Sequence, residues 1–275
     1  MESGSREDVL EFYKHLPFNI NKSSETAAEF IKLVNNVEYI YPKAEDLYSA
    51  RDVLEIGCGT GWLSNSLSYW YNLEVTAIDF NPVAVTEAKK TAELLGINVK
   101  FECADLFQYQ CETKDIVISN GVLHHTTNTG GGIKKCIELT RKNGKVFIGL
   151  YHRYGRKPFL DYFKVLREQN DDKDFLLSKY MELDTRHTDK IQAKSWFMDQ
   201  VFHPYETQHT LKEVVDIFES ENVKLLSTSI NQYRGIDDIE ELYQEEYGLY
   251  DKGMECLEKR EYFPGFFYVL GERCE

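Results

Sequence analysis

VLEIGCGTGWLS, at residues 53–64, sets a run of apolar residues directly against a glycine-rich turn and then opens a new segment. The short apolar run reads as a buried strand, and GWLSNSLSYWY (61–71) as the helix that follows it. Glycines in the turn let the backbone approach a ligand with no Cβ in the way. Outward from this stretch the alternation repeats. VTAID (75–79) is a strand, and PVAVTEAKKTAELLG (82–96) is a helix, with Pro82 suited to its first turn and Gly96 to its end. VKFEC (99–103), DIVISN (115–120) and KVFIGLY (145–151) are further strands, with a helix expected over IKKCIELTRKNG (133–144). Strands alternating with helices predict an α/β fold, a doubly wound and mostly parallel sheet with right-handed crossovers. In such sheets ligands bind beyond the carboxyl ends of the strands.

The flanks break the pattern. Residues 7–50 read as helical in VLEFYKHL and TAAEFIKLV, interrupted by PFNINKSS, where Pro17 breaks and Ser23 or Ser24 caps. After Tyr151 the alternation stops, and residues 152–210 form an aromatic, mixed-charge insertion too long for a bare loop. LKEVVDIFES (211–220) is an amphipathic helix and VKLLSTSI (223–230) a strand; residues 234–262 are acid-rich and helical, and FFYVLG (266–271) is the last strand.

With 46 acidic and 32 basic residues, the formal charge of −14 repels phosphate backbones and anionic membranes. Nucleic acid is therefore a disfavoured partner. The six cysteines show neither CxxC pairing nor metal-ligand spacing, which suits a reducing cytoplasm. The start, MESGSREDVL, has no signal-peptide pattern, and no apolar run reaches the length of a membrane span. The 18 Tyr and 16 Phe are enough to line a pocket for an organic ligand.

In the turn Gly57-Cys58-Gly59-Thr60-Gly61, a dinucleotide fingerprint would need glycine at position 62, where Trp62 stands, so NAD is disfavoured. Asp79 ends the second strand, where a carboxylate can accept from both hydroxyls of a ribose. Its alternative role is to cap the Pro82 helix, which Asn81 can fill instead. Asp105, after the third strand, is placed to accept from an exocyclic amine such as that of adenine, with Leu106 and Phe107 or Phe80 beside the ring; otherwise it is an ordinary turn aspartate. Asn120 ends the fourth strand on the same crevice, next to Gly121.

Taken together, VLEIGCGTGWLS, AIDFNPVAVTEAK (77–89), CADLF (103–107), DIVISNGVLHHT (115–126) and NGKVFIGLY (143–151) resemble the class I S-adenosylmethionine-dependent methyltransferases. The resemblance implies a Rossmann-like sheet of seven strands, closed by an antiparallel hairpin of 223–230 and 266–271, with helical cap insertions. It implies S-adenosylmethionine (SAM) as cofactor and S-adenosylhomocysteine (SAH) as product. Glu55 and the turn at Gly57, Cys58, Gly59 and Gly61 would then serve the methionine part. Asp79 would hold the ribose, Asp105 the adenine, and Asn120 the strand-four side. One domain over 1–275 is expected: an N-terminal cap segment (1–50), a cofactor core (51–151), a cap insertion (152–210) and the rest of the sheet with its acidic insertion (211–275).

Methyl transfer is an in-line displacement that asks chiefly for alignment and a dry site. Candidate bases are His124, His125, Tyr151 and His152, after strands four and five; the histidine pair reads equally as a polar helix start, and His152 as a loop residue against the sheet edge. No metal is expected, because no acid or third histidine lies at ligand spacing from the pair. Tyr13, Phe18, Trp196, Phe197, His203, Tyr205 and His209 are candidates to line a cap over the acceptor, or else form the cap's own core. The acidic run 237–261 reads as a solvated helix face, or else as a receptor for a cationic substrate or a basic peptide segment. The expected reaction is methyl transfer to oxygen or nitrogen of a small organic molecule; alternatives are a protein or peptide acceptor, a non-catalytic cofactor-binding subunit, or a nucleotide-sugar or NAD enzyme.

Overall fold

The computed structural model describes residues 6–15, 23–186 and 189–274. Five parallel strands run in sequence: β1 (Asp52–Ile56), β2 (Glu74–Asp79), β3 (Val99–Cys103), β4 (Lys114–Asn120) and β5 (Thr140–Tyr151). β6 (Val223–Thr228) stands at the far edge, and β7 (Phe266–Arg273) inserts between β5 and β6, antiparallel to both. The seven-stranded order is β3-β2-β1-β4-β5-β7-β6, as the resemblance implied. Strand order reverses between β1 and β4, which opens a crevice beyond their carboxyl ends.

Helices cover both faces. α4 (Trp62–Tyr71), α5 (Pro82–Leu95), α6 (Thr129–Leu139) and α10 (Leu211–Ser220) are the sheet's main cover. On one face Leu54, Ile56, Val117 and Ile148 pack with Ile133 and Ile137 of α6 and Val214 and Phe218 of α10. On the other, Val53, Ile116, Ile118 and Phe147 pack with Leu63 and Leu67 of α4 and with Val37, Tyr41 and Leu47 from the N-terminal segment. That segment holds α1 (Arg6–His15), α2 (Ser24–Leu33) and α3 (Ala44–Ser49), and the Ser23 hydroxyl caps α2 by accepting from Thr26 N–H. The insertion folds as α7 (Arg153–Gln169), α8 (Lys173–Leu183) and α9 (Lys190–Phe202), with its own core of Phe159, Phe163, Leu176, Tyr180 and Phe197. The acid-rich segment forms α11 (Ile239–Glu245) and α12 (Gly248–Lys259). Among the described residues no helix is long and apolar enough to cross a membrane.

The helix expected over 133–144 is displaced. α6 begins at Thr129, where Asn128 accepts from Gly131 N–H, and stops at Leu139. Thr140 pairs with Lys114 in the sheet, and its hydroxyl donates to Cys136 carbonyl. Arg141 turns to Asp115 and Asp52 instead of the helix end, and Asn143 takes a positive φ of 61° before the strand resumes at Lys145. Ion pairs with two strand-edge acids thus outweigh the helical preference of this basic stretch.

Candidate active site

The turn after β1 needs each glycine for a different reason. Gly57 has φ 75°, and a Cβ there would stand 2.3 Å from Val122; Gly61 has φ 78°, and a Cβ would meet that of Ala88 at 2.6 Å. Gly59 also has positive φ, yet a Cβ there would meet nothing within 4 Å, so its face is open for a ligand. Asp79 ties this turn to the next: its carboxylate accepts from Gly59 N–H and Asn81 N–H, both at 2.8 Å. Burial pushes the Asp79 carboxyl above the usual range. Asn81 accepts from Val83 N–H and caps α5, so capping that helix does not fall to Asp79.

Asp105 caps a short 3-10 turn at Leu106–Gln108 by accepting from Phe107 N–H. Asn120 ends β4 and shares the cavity wall with Tyr268. Glu55 is buried in β1 and accepts from the Ser64 hydroxyl; burial, opposed by Ser64, raises its pKa to about 7.

These groups line one end of a cavity of about 640 Å³, with Glu55, Gly57, Cys58, Gly59, Asp79, Phe80, Asp105, Leu106 and Asn120 on its wall. Of the expected cofactor residues, Gly61 alone lies outside the lining, turned onto Ala88. The other end is aromatic and comes from distant segments: Tyr13, Tyr151, Trp196, Tyr262, Phe266 and Tyr268, with His125, Asp199 and Gln200 among them.

The candidate bases separate. His125 Nδ1 lies 2.9 Å from Tyr205 carbonyl, which can only accept, so Nδ1 carries the proton and Nε2 offers a lone pair. That Nε2 stands 4.0 Å from Asp199 Oδ1. Asp199 accepts from the Tyr13 hydroxyl at 2.5 Å and from Gln200 Nε2 at 2.9 Å. Burial raises the Asp199 carboxyl. Tyr151 forms part of the wall: Gln200 Nε2 donates to its hydroxyl oxygen, Arg156 stacks on its ring, and burial lifts its pKa well above a phenol's. His124 sits behind, between His125 and Tyr151, its ring nitrogens without hydrogen-bond partners and held neutral by burial.

The expectation that His152 serves as a base is corrected. Its Nδ1 accepts from Tyr154 and Gly155 N–H and caps α7, so Nε2 carries the proton and donates to Glu246 at 2.8 Å. It is fully buried and absent from the cavity wall. His152→Ala should therefore lower folding stability by roughly 3 kcal/mol, from a lost cap and a lost hydrogen bond to a charged group, without changing cofactor affinity. A chemical denaturation curve that matches the native protein would refute this structural role.

Among the cap candidates, Tyr13 and Trp196 line the cavity, while Phe197 packs in the cap's own core. Tyr205 contributes its backbone to His125 and His203, and His209 bonds Thr207 away from the cavity wall. Phe18 lies outside the described residues.

The fold also gives the histidine pair the partners its local sequence lacks. Ligand atoms of His125, Asp199 and His203 lie within 4.8 Å of one another. They do not present three lone pairs, however. His203 Nδ1 accepts from Tyr205 N–H at 3.1 Å, which puts the proton on Nε2, the atom that would ligate. The two rings are also stacked, 3.6 Å between centroids, whereas imidazoles sharing an ion through bonds of roughly 2 Å point at it edge-on.

Residues 53–144 match a family model described as a methyltransferase domain. A ubiquinone biosynthesis O-methyltransferase of Coxiella burnetii is 28% identical over 125 residues, 45% of this chain and 53% of that protein. The chain thus spans about half the length of that relative. The structure of PKMT2 from Rickettsia typhi superposes with a TM-score of 0.62 at 17% identity, covering 94% of this chain and 55% of that one. Magnesium protoporphyrin IX methyltransferase from Synechocystis PCC 6803, solved with bound SAH, gives 0.51 at 15% identity, covering 96% and 91%. At such identities the structural likeness is one of fold. The family match lies on the strands and turns that build the glycine, Asp79 and Asp105 end of the cavity, so residues 53–144 carry the fold and turns of a class I S-adenosylmethionine-dependent methyltransferase domain.

Proposed function

We propose that this chain binds SAM at the glycine-turn end of the cavity and transfers its methyl group to an oxygen or nitrogen of a small organic acceptor in the aromatic end. One observation carries the reading: a single cavity joins the open face of Gly59 and the buried Asp79 to His125 and Asp199 under an aromatic cap. The volume of about 640 Å³ suits a cofactor with part of a small acceptor. The relatives named for ubiquinone biosynthesis and for magnesium protoporphyrin IX fit the same reading. A peptide acceptor has less support, because no residue of the acidic run 237–261 lines the cavity.

When bound, SAM supplies a methyl group on a sulfonium, ready for in-line displacement. Gly59 would leave room for the methionine part, Asp79 would offer its remaining lone pairs to the ribose, and Asp105 would accept from the adenine amine. His125 presents Nε2 to the acceptor and takes its proton. Asp199, 4.0 Å away, then faces an imidazolium and stabilises it. The aromatic wall aligns a planar acceptor and keeps water out.

Calorimetric titration with SAM, SAH and NAD tests the proposal. Micromolar binding of both adenosyl compounds and none of NAD is expected; no binding of either adenosyl compound would overturn it. Glu55 adds a signature. Its carboxyl is raised to about 7, and a bound ammonium group beside it favours the ionised form. Affinity should therefore rise with pH up to that value and flatten above it. About one pH unit below it, binding should release protons, seen as a binding enthalpy that depends on the buffer. Buffer-independent enthalpy there would show that Glu55 does not meet the ammonium group.

A further inference from the structure

The space between His125 and Asp199 has a definite chemistry. His125 Nδ1 is committed to Tyr205 carbonyl, so its Nε2 is an acceptor. Asp199 takes hydrogen bonds from Tyr13 and Gln200 and, as a carboxylate, has only lone pairs left to offer. Both side chains are buried, at 6% and 5% exposure, and the two facing atoms are 4.0 Å apart, too far for a hydrogen bond even if a proton lay between them. His203 does not fill the gap, since its Nε2 bonds to neither group. Two buried acceptors aimed at one another and opening onto a cavity call for a ligand that brings two donors.

The spacing limits that ligand. With each donor roughly 2.7–2.9 Å from its acceptor and the acceptors 4.0 Å apart, two donors converging on the space between them sit at most about 4 Å from each other. They are therefore two hydrogens on one nitrogen or two groups on neighbouring atoms. A single hydroxyl satisfies one acceptor and strands the other. The wall of Tyr151, Trp196, Tyr262 and Phe266 calls for a flat body behind them.

We infer that the methyl acceptor is a planar aromatic bearing a close pair of hydrogen-bond donors, either an amino group or two adjacent hydroxyls, bridging His125 Nε2 and Asp199 Oδ1. This rests on the proposed methyl transfer and narrows it to a substrate class. The donor on His125 is the nucleophile. Its proton moves to Nε2, its lone pair forms the bond to the methyl carbon, and the carbon–sulfur bond breaks with its electrons going to sulfur, leaving SAH. The second donor stays on Asp199 and fixes which atom is methylated.

The test is binding to the SAH-saturated protein, with p-cresol (one hydroxyl), its ortho-dihydroxy counterpart and p-toluidine (one amino group) as probes. At least one two-donor probe should bind about tenfold or more tightly than p-cresol, and whichever does identifies the source of the pair. Asp199→Asn should erase the preference, and the native comparison stands even if that variant folds poorly. Equal affinity for all three, or no binding of any, would overturn the inference. A protein that fails to bind SAH fails the proposed function and this inference with it. One that binds SAH but shows no preference fails this inference alone.

Discussion

Asp79→Ala should weaken SAM binding by at least about tenfold while the protein stays folded. The carboxylate has two tasks. It already accepts from Gly59 and Asn81 N–H, so its removal strands two donors at a buried turn and loosens the glycine loop whose geometry a cofactor must meet. It also offers its remaining lone pairs to the cavity, where two ribose hydroxyls would lose their acceptor. Tenfold corresponds to about 1.4 kcal/mol, less than one buried charge-assisted hydrogen bond commonly contributes, so the figure is a lower bound. Asp79→Asn should fall between, since the amide oxygen still accepts while its NH₂ opposes one of the two backbone donors. Calorimetry gives the affinity, and a thermal melt separates lost binding from lost fold. Unchanged affinity in the alanine variant would sink the assignment of the ribose site.

The two ends of the cavity differ in how legible they were. At the glycine-turn end Gly59, Asp79, Asp105 and Asn120 sit at or just beyond the end of a strand and could be singled out by local pattern, whereas Glu55, inside β1, was singled out only by the family resemblance. At the aromatic end the partners meet across the chain: Tyr13 and Asp199 are 186 residues apart. Asp199 went unnoticed although Trp196, Asp199 and Gln200 stand at i, i+3 and i+4 on one face of α9, and all three line the cavity. His152 misled for a different reason. A histidine after a strand reads the same whether it meets a ligand or caps the next helix, and only Glu246 beneath it decides. The cap aromatics were similarly ambiguous, because Trp196 and Phe197 are neighbours that a helix sends to different sides, one to the cavity and one to the cap core.

His125→Ala should cost about 10² to 10⁴ in kcat with a hydroxyl acceptor and leave SAM affinity within about twofold. Of the four candidate bases, only His125 combines a place on the cavity wall with a free lone pair. Tyr151 is held as a neutral phenol, His124 sits behind the wall, and both nitrogens of His152 are spent on structure. The backbone hydrogen bond at Nδ1 sets the tautomer, so the imidazole needs no rearrangement before it accepts a proton. The loss should depend on the acceptor. A hydroxyl oxygen is a weak nucleophile until its proton leaves, whereas a neutral amine attacks with its lone pair and sheds the proton afterwards. A hydroxyl acceptor should therefore expose the full loss, and an amine only a small part of it. His124→Ala is the control: it should lower the melting temperature through lost packing against Tyr151 and change kcat far less. If His125→Ala keeps kcat within a few-fold for hydroxyl and amine acceptors alike, His125 is not the base, and alignment by the aromatic wall must supply the rate.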